Sequence, residues 1–231
     1  MRELEMTNKE YILKITDKDK SKRIRKILNC ITQNYVLQVA KPTGAFPTNE
    51  GIVNIIIPAR VQRNKIAVIA HHDIHPNSCG YNDNSTGVVT LLKLQKLLPD
   101  NVELVFTDGE ERGGQGCRYY LDNFRRPDQA INIDVVGLAG QIFYEMYGDA
   151  DFDVENKYLT LYKNIPFSDS YILADYKIPN ILMLTGKSKK TLITDIFNAQ
   201  HGGKNDSNLA LISEDSMNRV FGVLFAMLVV K

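Results

Sequence analysis

The apolar run Ile66–Ala70 stops abruptly at His71, His72, Asp73 and His75, and a loop of turn-forming residues then leads through Asp83 to Gly87. The run reads as a buried strand that delivers imidazoles and carboxylates at its C-terminal end. Open α/β sheets build sites this way, because loops from several strands converge on the crevice at the strand ends. Three of the chain's 4 histidines lie in this stretch, so it anchors the reading of everything around it.

Further strands follow the same pattern. Ile52–Ile57 precedes Ile66–Ala70, and the polar segment Arg60–Lys65 between them suggests that the two strands are neighbours. Val102–Phe106 ends in Thr107-Asp108-Gly109-Glu110-Glu111, and Gln129–Val136 carries Asp134 near its end. Tyr35–Ala40, Gln141–Tyr147 and Ile181–Leu184 complete the strands, while Lys41–Gly51 reads as a turn and Asp149–Asn156 as an acidic loop.

Helical spacing appears between the strands. Ile24, Ile27, Leu28 and Ile31 place one apolar stripe on a helix over about 17–32, with Lys18–Lys26 as its solvated basic face. Val88, Leu91, Leu92, Leu94 and Leu98 mark a second helix that stops at Pro99. Cys117–Phe124 and Ser168–Tyr176 are short helices, Leu192–Gly203 leads into a loop carrying His201, and Met217–Leu228 closes the chain. Alternating strands and helices predict a three-layer α/β/α sandwich with a mixed, mostly parallel central sheet.

Size and charge narrow the function. A chain of 231 residues can bury one sizeable core, so 1–231 reads as a single domain. A net charge of +1 offers no electrostatic reason to expect nucleic acid or a membrane surface. The apolar run 220–230 is too short to span a bilayer, and the charged N-terminus shows no signal peptide, so the expected location is cytoplasmic, or secreted for a processed form. Cys30, Cys79 and Cys117 form neither an even disulfide framework nor a C-x-x-C pair, which fits a reducing compartment; a Cys79–Cys117 bridge is the alternative.

The polar residues gain meaning together. If Asp83, Glu110, Glu111 and Asp134 share one crevice, like-charge repulsion and burial raise their pKa values and work against folding. Two divalent cations remove that conflict, and mixed imidazole and carboxylate ligation suits Zn²⁺.

The motifs His71-x-Asp73, Gly80-x-x-Asp83-Asn84-x-x-Gly87, Asp108-Gly109-Glu110-Glu111-x-Gly113, Asn132-x-Asp134-x-x-Gly137 and the late His201 resemble those of the di-zinc aminopeptidase family that includes the secreted bacterial leucyl aminopeptidases. The resemblance runs from about Ile52 to the C-terminus and implies the zinc-dependent exopeptidase fold. It implies two Zn²⁺ ions, with Co²⁺ or Mn²⁺ as substitutes, and a peptide substrate with a free N-terminus. Asp83 would bridge the ions, His71 and Asp134 would complete one shell, and Glu111 and His201 the other. Glu110 would be the general base, Asp73 would orient the ring of His71, and the Asp83–Asn84 peptide would be cis.

The chain also departs from that pattern. Relatives commonly carry His-Thr at the late ligand and an acidic residue four positions on, whereas Gly202 follows His201 here, with Asn205 at that spacing and Asp206 one further. The family's Ser-Asp-His segment appears as Ser168-Asp169-Ser170, which implies altered substrate contacts. His72 and His75 match no ligand position. Three other readings share the architecture: a glutaminyl cyclase with one zinc, a non-catalytic binding domain, and a deacylase or carboxypeptidase with a related di-metal core. The preferred N-terminal residue, the strand order and the oligomeric state do not follow from the sequence.

Overall fold

A computed structural model describes residues 6–41, 51–152, 158–199 and 204–229. Their strands are β1 (Val36–Ala40), β2 (Ile52–Ile57), β3 (Ile66–His71), β4 (Val102–Thr107), β5 (Gln129–Ile133), β6 (Gln141–Tyr147), β7 (Leu159–Leu161) and β8 (Asn180–Gly186). They form one 8-stranded sheet in the order β1-β2-β4-β3-β5-β8-β6-β7. The centre, β4-β3-β5-β8, is parallel, and β2 on β4 and β6 on β8 are antiparallel. The mixed α/β sandwich expected from the sequence is the fold observed.

The central strands are largely apolar because both of their faces are covered, with a few buried polar exceptions such as Glu103 of β4 and Asn132 of β5. On β3, Ile66, Val68 and Ala70 join one core while Ala67 and Ile69 join the other. β4 divides in the same way, with Leu104 and Phe106 on the first side and Val105 on the second. The period of two sorts each strand between layers, and each fully buried large aliphatic side chain contributes about 1.5–3 kcal/mol.

The first face is covered by α1 (Asn8–Ile15), α3 (Ser85–Leu94) and α7 (Glu214–Val229), and the second by α4 (Gln115–Asn123) and α5 (Asp169–Asp175). α6 (Leu192–Ala199) packs on β8, with Leu192 and Ile196 in a third apolar cluster. No helix of the described residues is long and apolar enough to cross a membrane.

Several expectations need correction. β2 and β3 are not neighbours, since β4 lies between them. The connection 58–65 is long enough to pass two strand spacings of about 4.8 Å each, and the helix α3 between β3 and β4 makes those two the parallel pair. α1 has no counterpart in the sequence reading. Its signal is a capping box in which the Glu10 N–H donates to Thr7 Oγ1 at 3.2 Å and the Thr7 N–H to Glu10 Oε2 at 2.7 Å. The three-residue strand β7, paired in parallel with β6, likewise has no counterpart in the sequence pattern.

The first basic helix is shorter than expected: α2 runs Lys20–Leu28, capped by the Asp19 side chain on the Lys22 N–H. Lys22 and Arg25 face solvent, but Arg23 is buried with Ile27, so the basic run is not wholly a solvated face. Lys20 Nζ lies 2.5 Å from Asp108 Oδ2 at the end of β4, which ties α2 to the strand ends. The turn expected over 41–51 and the acidic loop over 149–156 fall largely or partly outside the described residues. Cys30, Cys79 and Cys117 are free thiols, so the alternative bridge is not formed.

Candidate metal centre

Three parallel strands end at one place, and each delivers a polar residue there. His71 is the last residue of β3, Asp134 follows β5 directly, and Glu110 and Glu111 lie just beyond β4. Asp83 arrives on the loop between β3 and α3. Among the described residues, His71, Asp83 and Asp134 form a buried cluster whose ligand atoms lie within 4.8 Å of one another. His71 Nε2 is 3.0 Å from Asp83 Oδ1 and 3.5 Å from Asp134 Oδ1.

The loop that carries Asp83 is pinned by its own polar residues. Asn84 caps α3 by accepting the Gly87 N–H at 3.0 Å, and its amide donates to the Ile133 carbonyl at 2.8 Å. Asn82 Oδ1 accepts the Gly137 N–H at 2.9 Å, so on either side of Asp83 the loop is stitched to the end of β5 and to the segment just after it. A Cβ at Gly87 would come 2.4 Å from Asn84 Oδ1, which explains a glycine inside the first turn of α3. The Asp83–Asn84 peptide is cis, as the resemblance implied.

Asp73 links two strand ends. Its Oδ1 lies 3.3 Å from His71 Nδ1, while its two oxygens accept the backbone N–H groups of Glu110 at 3.1 Å and Glu111 at 3.2 Å. Gly109, with φ +73, turns the chain so that these two N–H groups point at one carboxylate.

Burial and mutual repulsion set the protonation of the cluster. Burial, reinforced by Asp134, pushes the Asp83 carboxyl up to about 7 against the pull of His71. Burial and the Asp83 charge push Glu111 to about 8. Burial drives Glu110 well above the carboxylate range, with Asp134, Asp169 and Asp83 adding to it and His71 opposing. Burial disfavours charge on His71, yet Asp134, Asp73 and Asp83 together outweigh it and raise the imidazole well above its usual value. Asp73 moves the other way, because the His71 interaction overcomes its desolvation.

Asp169, in the Ser168-Asp169-Ser170 segment, proves to be part of this centre. It is buried, its Oδ2 accepts the Thr107 hydroxyl at 2.6 Å, and burial pushes it up to about 7. Asp206, in the sequence only a departure from the family spacing, is buried beneath the Asp83 loop and accepts the N–H groups of Asn82 and Asp83. His72 is buried and bonded through Nε2 to the Val53 carbonyl at 2.8 Å, which gives it a structural partner in β2. His75 is a half-buried loop residue. His201 lies outside the described residues.

The donor set suits a divalent cation. Asp134 Oδ1 is buried with no aligned hydrogen-bond donor, and Asp83 and His71 face the same point. A neutral imidazole and two ionised carboxylates, the forms that ligate, are costly to crowd together in a dry site, and a cation offsets that cost.

Comparison with known proteins places these features. The chain is 31% identical over 111 residues to aminopeptidase YwaD of Bacillus subtilis, covering 43% of this chain and 24% of that protein. Its fold matches a zinc aminopeptidase from Bacillus subtilis with a TM-score of 0.65 at 20% identity, over 78% of this chain and 50% of the other. It also matches a glutaminyl cyclase of Porphyromonas gingivalis with a TM-score of 0.72 at 17% identity, over 96% of both chains. The chain thus spans about a quarter of aminopeptidase YwaD and about half of the Bacillus subtilis zinc aminopeptidase. Residues 53–200, the greater part of the chain and the part that carries His71, Asp83 and Asp134, match the sequence model of one family, and the chain belongs to it: peptidase family M28.

Proposed function

We propose that this chain acts as a single metallopeptidase domain, an aminopeptidase that removes the N-terminal residue of peptides. The convergence of His71, Asp83 and Asp134 at the ends of β3 and β5 in a member of this peptidase family carries the reading. These three residues would hold one Zn²⁺. Asp83 would be shared with a second ion held by Glu111 and His201, in keeping with the raised protonation of both described carboxylates. Bound divalent zinc supplies Lewis acidity toward the scissile carbonyl and acidifies water.

The chain's own groups do the rest. Glu110, buried and held well above the ordinary carboxylate range, is the general base that takes a proton from the attacking water and returns it to the leaving amine. Asp73 fixes the ring of His71 through Nδ1 and simultaneously sets the backbone of Glu110, so one carboxylate aligns a ligand and the base. Next to Asp134 is a narrow, mostly apolar cleft walled by Val135, Ile165, Phe167, Leu182, Leu184 and Ile196, with Ser168 at its edge. Its aliphatic and aromatic lining suits an apolar N-terminal side chain.

A glutaminyl cyclase is the second reading, favoured by the match to such an enzyme over 96% of both chains. The mostly apolar cleft weighs against it, because a primary amide seated there would exchange its hydrogen bonds to water for few partners besides Ser168 and Asp134. Aminoacyl anilides and N-terminal glutaminyl peptides, assayed side by side with zinc counted per chain, separate the two. Release of the apolar N-terminal residue with two zinc ions supports the aminopeptidase, whereas pyroglutamyl product with one zinc overturns it.

A further inference from the structure

α2 lies outside the region matched to the family, yet it sends one side chain beneath the candidate metal centre. Arg23 is 2% exposed. Its Nε donates to the His72 carbonyl at 2.5 Å and its Nη1 to Ser85 Oγ at 3.0 Å. The Ser85 hydroxyl in turn donates to the Gly80 carbonyl, which the Ser85 N–H also reaches at 3.1 Å. Arg23 Nη2 is buried without a hydrogen-bond partner, and the carboxylate charges acting on the guanidinium are those of Asp73 and Asp206.

These contacts join the two ends of one loop. His72 lies between His71 and Asp73 on the strand side, and Ser85 is two residues beyond Asp83 on the helix side. The guanidinium therefore bridges the segment that carries the imidazole and the segment that carries the shared carboxylate. We propose that Arg23 is a positioning residue for the metal centre, a two-pronged clamp that holds His71 and Asp83 at ligating separation. The inference rests on the metallopeptidase reading.

The sign of its effect distinguishes a clamp from a charge. A buried cation close to a metal site repels the incoming ion, so a purely electrostatic role predicts that removing Arg23 strengthens metal binding. A clamp predicts the opposite, since a ligand pair left unfixed must be ordered by the ion itself. Lysine keeps the charge but has a single ammonium in place of the planar fork, and it cannot reproduce both contacts.

The test is Co²⁺ titration of the metal-free full chain, followed by visible absorption, and Zn²⁺ calorimetry, on wild type, Arg23→Met, Arg23→Lys and Ser85→Ala, with folding checked by circular dichroism. Arg23→Met is expected to weaken both ions by about 10- to 100-fold, as loss of outer-sphere support does elsewhere. Arg23→Lys should fall between it and wild type, and the Co²⁺ band should change shape in both. Wild-type or tighter affinity in folded Arg23→Met overturns the clamp alone. If Arg23→Met does not fold, Ser85→Ala decides: weaker binding supports the clamp and unchanged binding overturns it. A wild-type chain that binds neither ion overturns the metallopeptidase reading and the clamp with it.

Discussion

Asp206 Oδ1 accepts the backbone N–H of Asp83 at 2.9 Å, and the same oxygen accepts that of Asn82 at 2.8 Å. The other oxygen takes the Ser78 hydroxyl. One buried carboxylate from the segment before α7 thus fixes the conformation of the residue most central to the site. Asp206→Ala would strand these donors in a dry pocket, where each unsatisfied group costs about 1–3 kcal/mol. The expected result is a loss of roughly that size in urea unfolding, together with weaker Zn²⁺ binding. Unchanged stability would remove Asp206 as the anchor.

The limits of the sequence show in the same residues. His71 and Asp134 are legible because each stands at the end of an apolar run, and an apolar strand has a defined end in an α/β sheet, whereas Asp83, in a loop of turn-forming residues, is singled out only by the motif Gly80-x-x-Asp83-Asn84. Asp206 sits in no periodic pattern, and its partner is more than 120 residues away, so only the folded chain reveals its role. Arg23 was hidden within a basic run, although its i,i+4 relation to Ile27 put it on the buried side of the helix. The order of β2, β4 and β3 is unreadable for a different reason: all three strands are largely apolar and buried on both faces, and nothing in such runs specifies which neighbour each will pair with.

The metal-free protein should become less stable as pH rises. Asp83 and Asp169 sit near 7 against an ordinary 3.8, and Glu111 near 8 against 4.5. Each holds a proton in the folded state that the unfolded chain has already released, so stability falls from about pH 4 to about pH 8. His71, raised by its carboxylate neighbours, acts in the same sense, because its contribution is lost as pH climbs through the folded value. Asp73, held low, acts oppositely and only on acidification below about pH 4. Thermal melts of EDTA-treated protein should show Tm dropping from pH 5 to pH 8, with Zn²⁺ raising it more at pH 8. A Tm that rises over this range would contradict the clustering of these groups.

Glu110→Gln tests the base directly. The amide retains the shape of the side chain but cannot accept and return a proton, so kcat should fall by about 10²- to 10⁴-fold. Zinc content and the melting temperature of the loaded protein should stay close to wild type, since Glu110 is not among the groups assigned to the ions. Undiminished turnover would exclude Glu110 as the base.

The cleft beside Asp134 makes a specificity prediction. Ile196, 1% exposed on α6, forms part of its wall together with Leu182 and Leu184 of β8. Ile196→Ala removes three carbons and deepens the cleft without adding a polar atom. Filling or emptying an apolar subsite by a methylene or two changes discrimination by about 1–3 kcal/mol, or 10- to 200-fold. The kcat/KM ratio for phenylalanyl over leucyl anilide should therefore rise by at least about tenfold, mostly through KM, because the cleft grips the side chain and not the reacting bond. The substitution should also cost about 2–5 kcal/mol of stability if the cavity does not collapse, so the ratio is the cleaner readout. An unchanged ratio in a folded Ile196→Ala protein would show that the N-terminal side chain is seated elsewhere.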